Sequence, residues 1–365
     1  MNGNEMKILV TSAAGRTGSE TVRQLLAKGY KVRAFVRVND KRAKALHELG
    51  AEIFIGNLFD FRDLQVALEG VQRAYHCPPF AQNLLHNVML FCLAAEEAKL
   101  ETMVLLSGWN PHESHPSALS REHWVANNIA RWMPTVDLIH VNPGIFAFAY
   151  LLTLPITAKL GLLPLPYGTG RNAPVSAKDI ARVVVGILDS PAPHIGKSYR
   201  PTGPKLLSPD EIAKVIGDVV GRKVTYRDVP FKMMAKAAKA QGFPEFDSAN
   251  LRYYAKELAA DAFAIGGATD HVEQVTGEGA ESFEQTVRRH YENPQLIAPG
   301  VSMVSMFGAL RFMAKIMLTP APNLDAFEHQ RAMPKIQNSK LAHENSNWVE
   351  SAENRHLYLL NNKSN

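Results

Sequence analysis

The sequence predicts a doubly wound parallel α/β sheet with a smaller lobe behind it, and three observations carry that prediction. An apolar run at 7–10 feeds a loop of small side chains, Thr11-Ser12-Ala13-Ala14-Gly15-Arg16-Thr17-Gly18, which opens a helix reaching about Lys28. Strand-like and helix-like runs then alternate as far as residue 141, as parallel strands joined by crossover helices require. Beyond Asn142-Pro143-Gly144 the rhythm breaks and proline-interrupted apolar sequence takes over.

Gly29 stops the first helix, and 31–36 alternates in polarity as a second strand ending at Arg37. Helix 41–49, strand 51–55, helix 62–68, strand 74–77, helix 83–98 and strand 103–106 continue the pattern. A helix at 121–133 and a sixth strand at 136–141 complete it. The stretch 146–166 carries Pro155, Pro164 and Pro166, too many breaks for one bilayer-spanning helix, and reads as the wall of a cleft. Ser176-Ala177-Lys178-Asp179 and Ser208-Pro209-Asp210-Glu211 each set a hydroxyl three residues before an acid, the capping-box arrangement, and so predict two helix starts. The second helix ends at Gly221; a short strand at 223–228 and helices at 231–241, 248–262 and 281–291 complete a small α/β lobe.

The last stretch differs. Met303, Met306, Phe307, Leu310, Met313, Ala314 and Met317 share one face at helical spacing. The leading expectation for this amphipathic helix is a lid packed on the body or a homodimer or protein-partner contact, ahead of a membrane-surface helix or a channel wall. After Pro322 the chain turns polar, with Asn345, Asn347, Asn354, Asn361, Asn362 and Asn365, and reads as a solvated or wrapped tail.

Composition bounds the function. A chain of 365 residues suits about two domains, and 46% apolar with 21% charged residues excludes collagenous, disulfide-stapled and wholly disordered classes. The net charge of +5 comes from scattered cations, so no nucleic-acid contact is expected; an anionic small ligand suits the surplus. Cys77 and Cys92 cannot build a disulfide framework or a four-thiolate zinc site. The opening residues 1–7 lack secretory features, and a cytoplasmic location with reduced thiols is expected, without a transmembrane segment.

A loop of Gly and Ala between strand and helix brings the backbone close to a pyrophosphate, where the helix N-terminus offers free N–H groups. Thr11, Ser12, Ala14, Gly15, Arg16, Thr17 and Gly18 are therefore the expected cofactor contacts, although a strict fingerprint wants a further glycine at Ser12 or Ala13. Arg37 stands where NAD-selective sheets place an acid, with Arg33, Lys41 and Arg42 nearby, so NADPH is expected over NADH. The carboxyl ends of the other strands supply Asn57, Leu58, Cys77, Pro78, Pro79, Ser107, Gly108, Pro143 and Gly144 to the same cofactor. Phe80, Trp109, Phe146 and Tyr150 are the expected walls for a flat or apolar substrate.

In this order, Thr11-x-Ala13-x-Gly15-x-x-Gly18, Val32-Arg33-Ala34-Phe35-Val36-Arg37, Ser176-Ala177-Lys178-Asp179-Ile180-Ala181, Pro201-Thr202-Gly203-Pro204 and Gly221-Arg222-Lys223-Val224-Thr225-Tyr226 resemble the NmrA-like family of atypical short-chain dehydrogenases/reductases. The likeness spans about residues 6–293 and implies a Rossmann fold. It implies either an NADPH-dependent reductase of quinones, azo compounds, iminium compounds or enones, or a non-catalytic NADP(H) sensor acting through a protein partner. The expected division is a nucleotide-binding domain at 1–145, a substrate lobe at 146–295 interleaved with the sheet, and an extension at 296–365.

Departures from the wider group bear on the chemistry. The chain has no Tyr-x-x-x-Lys pair; Arg121-Glu122-His123-Trp124-Val125-Ala126-Asn127 stands in the expected region. Carbonyl reduction wants a proton donor at the oxygen, whereas an electrophilic acceptor of the iminium or quinone type wants less acid help. Ser107 and His123, or a water between them, are the expected catalytic groups, with packing as the plainer role of His123. His112 and His115 sit in a proline-flanked loop without a completing ligand, so no metal is expected.

Overall fold

The computed structural model describes residues 6–297, 302–330 and 336–353. Its main sheet runs in the order β3-β2-β1-β4-β5-β6-β8. Here β1 is Lys7–Val10, β2 Lys31–Val36, β3 Glu52–Ile55, β4 Arg73–His76, β5 Thr102–Leu106, β6 Asp137–Val141 and β8 Ser198–Tyr199. Every pairing in it is parallel. Strand order reverses between β1 and β4, and in such sheets the ligand crevice opens beyond the strand ends at that point.

The pleat explains why these strands read as unbroken apolar runs. Ile8 and Val10 face one helical layer with Val22, Leu25 and Ile180, while Leu9 between them faces the other with Leu64, Val88 and Phe91. The linking helices are α1 (Arg16–Ala27), α2 (Lys41–Glu48), α3 (Phe61–Leu68), α4 (Leu84–Glu97) and α5 (Ala118–Ala130). Asp40 and Asp60 start α2 and α3 by accepting backbone N–H groups, which satisfies donors the first turn leaves orphaned.

The apolar stretch after β6 contains α6 (Phe148–Leu151), α7 (Leu154–Leu160) and β7 (Leu162–Leu165), a finer structure than the wall the sequence suggested. Strand β7 pairs in parallel with β9 (Thr225–Asp228) as a separate two-stranded sheet. Ser176 starts α8 (Ala177–Asp189), which returns to the main sheet and packs on α1; the two-residue β8 was too short to read. Ser208 and Glu211 form the full capping box of α9 (Pro209–Val220), closed by Gly221 at φ 72°.

Helices α10 (Phe231–Ala240), α11 (Glu245–Ala259), α12 (His271–Thr276) and α13 (Phe283–Glu292) complete the lobe. Its core gathers Tyr150, Leu163, Ile212, Leu258, Phe263 and Phe283.

Three more α-helices follow among the described residues: α14 (Met306–Leu318), α15 (Leu324–Gln330) and α16 (Ser346–Glu353). The apolar face expected on α14, as a packed lid or a contact with another chain, is mostly turned outward. Ala309 and Ile316 are buried with Phe312 and Met313 beside them, whereas Met306, Phe307, Leu310 and Met317 are exposed. The polar tail is wrapped where it is described, since Arg252 of α11 pairs with Asp325 and Glu328, and Asn345 is buried. Asn354, Asn361, Asn362 and Asn365 lie outside the described residues. Among the described residues no helix is long and apolar enough to cross a membrane.

Candidate functional site

The loop after β1 is tied to both neighbouring strands: Thr11 N–H donates to Tyr75 O and Ala13 N–H to Phe35 O. Ser12 has φ +48°, the left-handed region, at a position where a strict fingerprint would set glycine. Its hydroxyl donates to Cys77 O at 2.7 Å, which helps hold the unfavourable backbone. Helix α1 begins at Gly15 with no side-chain cap, so its first-turn N–H groups remain available to an anion.

A Cβ on Gly18 would lie 2.5 Å from Ser12 O, and one on Gly15 3.0 Å from the same oxygen. Only glycine lets loop and helix approach this closely, the geometry a dinucleotide's pyrophosphate needs, and the residues present therefore fit the group.

The remaining loop residues divide by role. Thr11 and Thr17 are buried with engaged hydroxyls: Cys77 N–H donates to Thr11 Oγ1 at 2.9 Å and Tyr75 OH to Thr17 Oγ1 at 3.2 Å. Their side chains fasten the loop to β4. Arg16 lays its guanidinium on Phe148, 4.0 Å from the ring centroid, and donates to Ile297 O at 2.8 Å, so it links the loop to the lobe. Phe146 stands edge-on to Phe148 at 5.6 Å and shares that corner.

At the end of β2, Arg37 is exposed and makes no hydrogen bond or ion pair among the described residues. Lys41 is exposed as well, whereas the two neighbouring arginines are less available. Arg33 is buried against Glu52 and the carbonyls of Ala67 and Glu69, where it caps the end of α3, and Arg42 is paired with Asp40. Asn57 closes a turn by accepting the Phe59 N–H, and Leu58 O accepts from Asn87. Burial raises the Cys77 thiol above its ordinary range, so it is not an activated nucleophile. Pro78 and Pro143 are buried, Pro79 is partly so, and Phe80 stands 46% exposed with its ring edge-on to Phe246.

Ser107, just past β5, lies 3.3 Å through Oγ from His123 Nδ1 on α5, so the fold joins two residues that sequence alone could only nominate. Burial lowers the His123 pKa to about 4, so at neutral pH the ring is uncharged and is not an imidazolium acid.

A phenol that the sequence did not single out stands beside Gly108, the residue after Ser107. The Tyr254 hydroxyl is 3.4 Å from where a Cβ on Gly108 would be, and its ring stacks on Phe263 at 6.0 Å. Phe263 in turn approaches Gly144, 3.3 Å from the Cβ position there. The Tyr254–Phe263 pair thus roofs the ends of both β5 and β6. Nothing local marks Tyr254: it occupies an ordinary helical position in α11, and only lobe packing aims it at Gly108.

Two expected substrate walls take other places. Tyr150 is a correction: it is 1% exposed in the lobe core, between Tyr167 and Phe283, and cannot line a cleft. Trp109 has the Arg200 guanidinium 3.9 Å from its ring centroid, and Trp348 of α16 packs edge-on at 5.7 Å while donating to Trp109 O at 3.2 Å. The extension therefore covers a residue expected to face ligand.

The same extension is fastened by a buried polar knot. Glu257 accepts from Asn110, from His115 Nε2 at 3.0 Å and from Ala342 N–H at 2.8 Å. His115 Nδ1 accepts the Ser117 N–H, which puts its proton on Nε2 and fixes the tautomer. Asn345 bonds His112 Nδ1 at 3.2 Å. Among the described residues, no three His, Cys, Asp or Glu side chains gather as a metal site.

A family model described as the NmrA-like family matches residues 4–286. The chain is 29% identical over 286 residues to NAD(P)H azoreductase of Xenophilus azovorans, covering 78% of this chain and 97% of that protein. The fold is similar to the NADPH-dependent quinone oxidoreductase of Escherichia coli solved with NADPH, with TM-score 0.67, 21% identity and coverage of 77% of this chain and 99% of the other. It is also similar to NmrA, a negative transcriptional regulator solved with NADP, with TM-score 0.65, 18% identity and coverage of 78% and 95%.

Proposed function

The chain belongs to the NmrA-like family, and from that premise we propose that it is an NADPH-dependent reductase of a hydrophobic electrophilic acceptor, of the quinone, azo, imine or enone class. The observation that carries the proposal is the loop after β1: a left-handed Ser12 and a Gly18 with no room for a Cβ, beside an unpaired Arg37 at the end of β2. The azoreductase relative, matched along nearly its whole length, supports an acceptor of that electronic type.

In this reading the first-turn N–H groups of α1 bind the pyrophosphate, and Arg37 meets the 2′-phosphate with a fork of charged donors. The loop after β1 and Arg37 would hold the reduced cofactor, which would supply a hydride when bound. Ser107 and neutral His123 position a proton at the end of β5, and the Tyr254 phenol is the candidate donor to the reduced acceptor, in place of the missing Tyr-x-x-x-Lys pair. Phe80, exposed beyond the end of β4, and the half-buried Tyr254 ring, backed by the buried Phe263, give the acceptor apolar surface.

The test is turnover: NADPH oxidation followed at 340 nm against quinones, azo dyes, imines and enones. Oxidation stoichiometric with acceptor is expected, with a 2′-phosphate preference that Arg37→Glu reverses or removes. Losing one charge-assisted contact and adding a repulsive charge costs about 1.5–3 kcal/mol, roughly ten- to a hundredfold in affinity for NADPH. The second reading, a sensor acting through a protein partner, draws on Trp348 packed over Trp109. Tight NADP(H) binding without oxidation of any acceptor would favour it.

A further inference from the structure

Helix α14 is apolar on both sides. Its inner stripe is Ala309, Phe312, Met313 and Ile316; its outer stripe is Met306, Phe307, Leu310, Ala314, Met317 and Leu318. The outer residues are well exposed: Phe307 77%, Leu310 55%, Met317 61% and Leu318 85%. Isolated surface apolar residues are unremarkable, but five large ones along one helix form a patch that soluble surfaces rarely leave open.

The helices that form this face carry charge of one sign, the acids of the neighbouring α9 and α11 lying on other elements. Helix α14 packs on α7 and α10, and Lys236 of α10 donates to Met317 O at 2.7 Å. The three helices carry Lys159, Lys232, Lys236, Lys239, Arg311 and Lys315 and not one Asp or Glu. The surrounding chain behaves alike: no acid occurs between Asp137 and Asp179, between Asp228 and Glu245, or between Glu292 and Asp325. Glu245, at the edge, is already shared with Lys239.

From this apolar stripe bordered by cations, we infer that the α7–α10–α14 face docks on an anionic lipid bilayer surface, with α14 lying in the plane of the membrane. Exposed Phe, Leu and Met side chains enter the acyl boundary, while Lys and Arg remain at the headgroups. A second copy of the chain fits less well, because a two-fold contact would press the same cationic face against itself. A nucleic acid would use the cations and leave the apolar stripe in water. The inference does not depend on which acceptor is reduced, since it rests on residues that the nucleotide reading does not use.

The experiment is sedimentation of the full chain with sucrose-loaded vesicles of phosphatidylcholine alone or of phosphatidylcholine and phosphatidylglycerol at 3:1. Binding to the anionic vesicles is expected to exceed binding to the zwitterionic ones by about tenfold or more, given about fivefold per cation at the surface, and to fall as salt rises. Phe307→Ser with Leu310→Ser should abolish it. Arg311→Glu with Lys232→Glu should remove the preference for anionic lipid. All four side chains are exposed or at the surface, so an unchanged thermal midpoint and NADPH affinity certify the variants as folded. No binding, or equal binding to both vesicles, overturns the inference. So does a dimer by light scattering that dissociates with Phe307→Ser and Leu310→Ser, which would make the face a contact between copies.

Discussion

At the scale of single residues, Gly18 and Tyr254 are opposite cases. Gly18 was legible because a strand, a small-residue loop and a helix are local features, and its role follows from crowding: a Cβ would meet Ser12 O at 2.5 Å. Gly18→Ala should therefore lower unfolding free energy by about 1–3 kcal/mol, as overpacking does, and weaken NADPH binding as the loop shifts. Urea unfolding and calorimetry read the two effects, and a variant with wild-type values in both would remove the close-approach argument. Tyr254 was illegible because its contact with Gly108 joins residues far apart in the chain. If its phenol donates the proton, Tyr254→Phe should cut kcat by about a hundredfold or more while leaving NADPH affinity unchanged. An unaltered kcat across pH would reduce Tyr254 to a packing residue.

At the scale of elements, periodicity located helices well and oriented them poorly. The spacing marks an apolar stripe on α14 but leaves open whether it packs on the body or meets another surface, because both sides are apolar and only the position of α7 and α10 selects between them. The tail shows the same limit. Polar composition hid α16, which Asn345 starts by accepting the Trp348 N–H and which buries Trp348 against Trp109. Trp348→Ala should cost about 3–5 kcal/mol, the range for deleting a buried aromatic ring. Red-shifted tryptophan emission and faster cleavage within 336–353 should accompany the loss; stability within about 1 kcal/mol of wild type would mean that α16 is only loosely attached.

At the scale of the whole molecule, burial of histidines sets a pH dependence. His76 and His140 are pushed down to about 3, and His112 and His123 to about 4, in each case chiefly by burial. The folded protein therefore binds fewer protons than the unfolded chain, whose histidines titrate near 6.5, so stability rises with pH across that interval. These contributions are complete above about pH 6.5 and are lost as pH falls towards 4 and 3, by up to roughly 1.4 kcal/mol per pH unit for each ring. Urea midpoints measured from pH 7 to 4.5 should fall steeply, and a flat profile would contradict the burial. By itself the sequence determined the parallel doubly wound sheet, the small-residue loop between β1 and α1 and the cation at Arg37, because these rest on short-range periodicity, small residues and strand-end position. Only the tertiary structure decided that Tyr254 and Phe263 roof Gly108 and Gly144, that Tyr150 is interior, and that α14 turns an apolar face outward. Those outcomes depend on which surfaces meet when distant segments pack, and no local spacing encodes the direction from which a neighbour arrives.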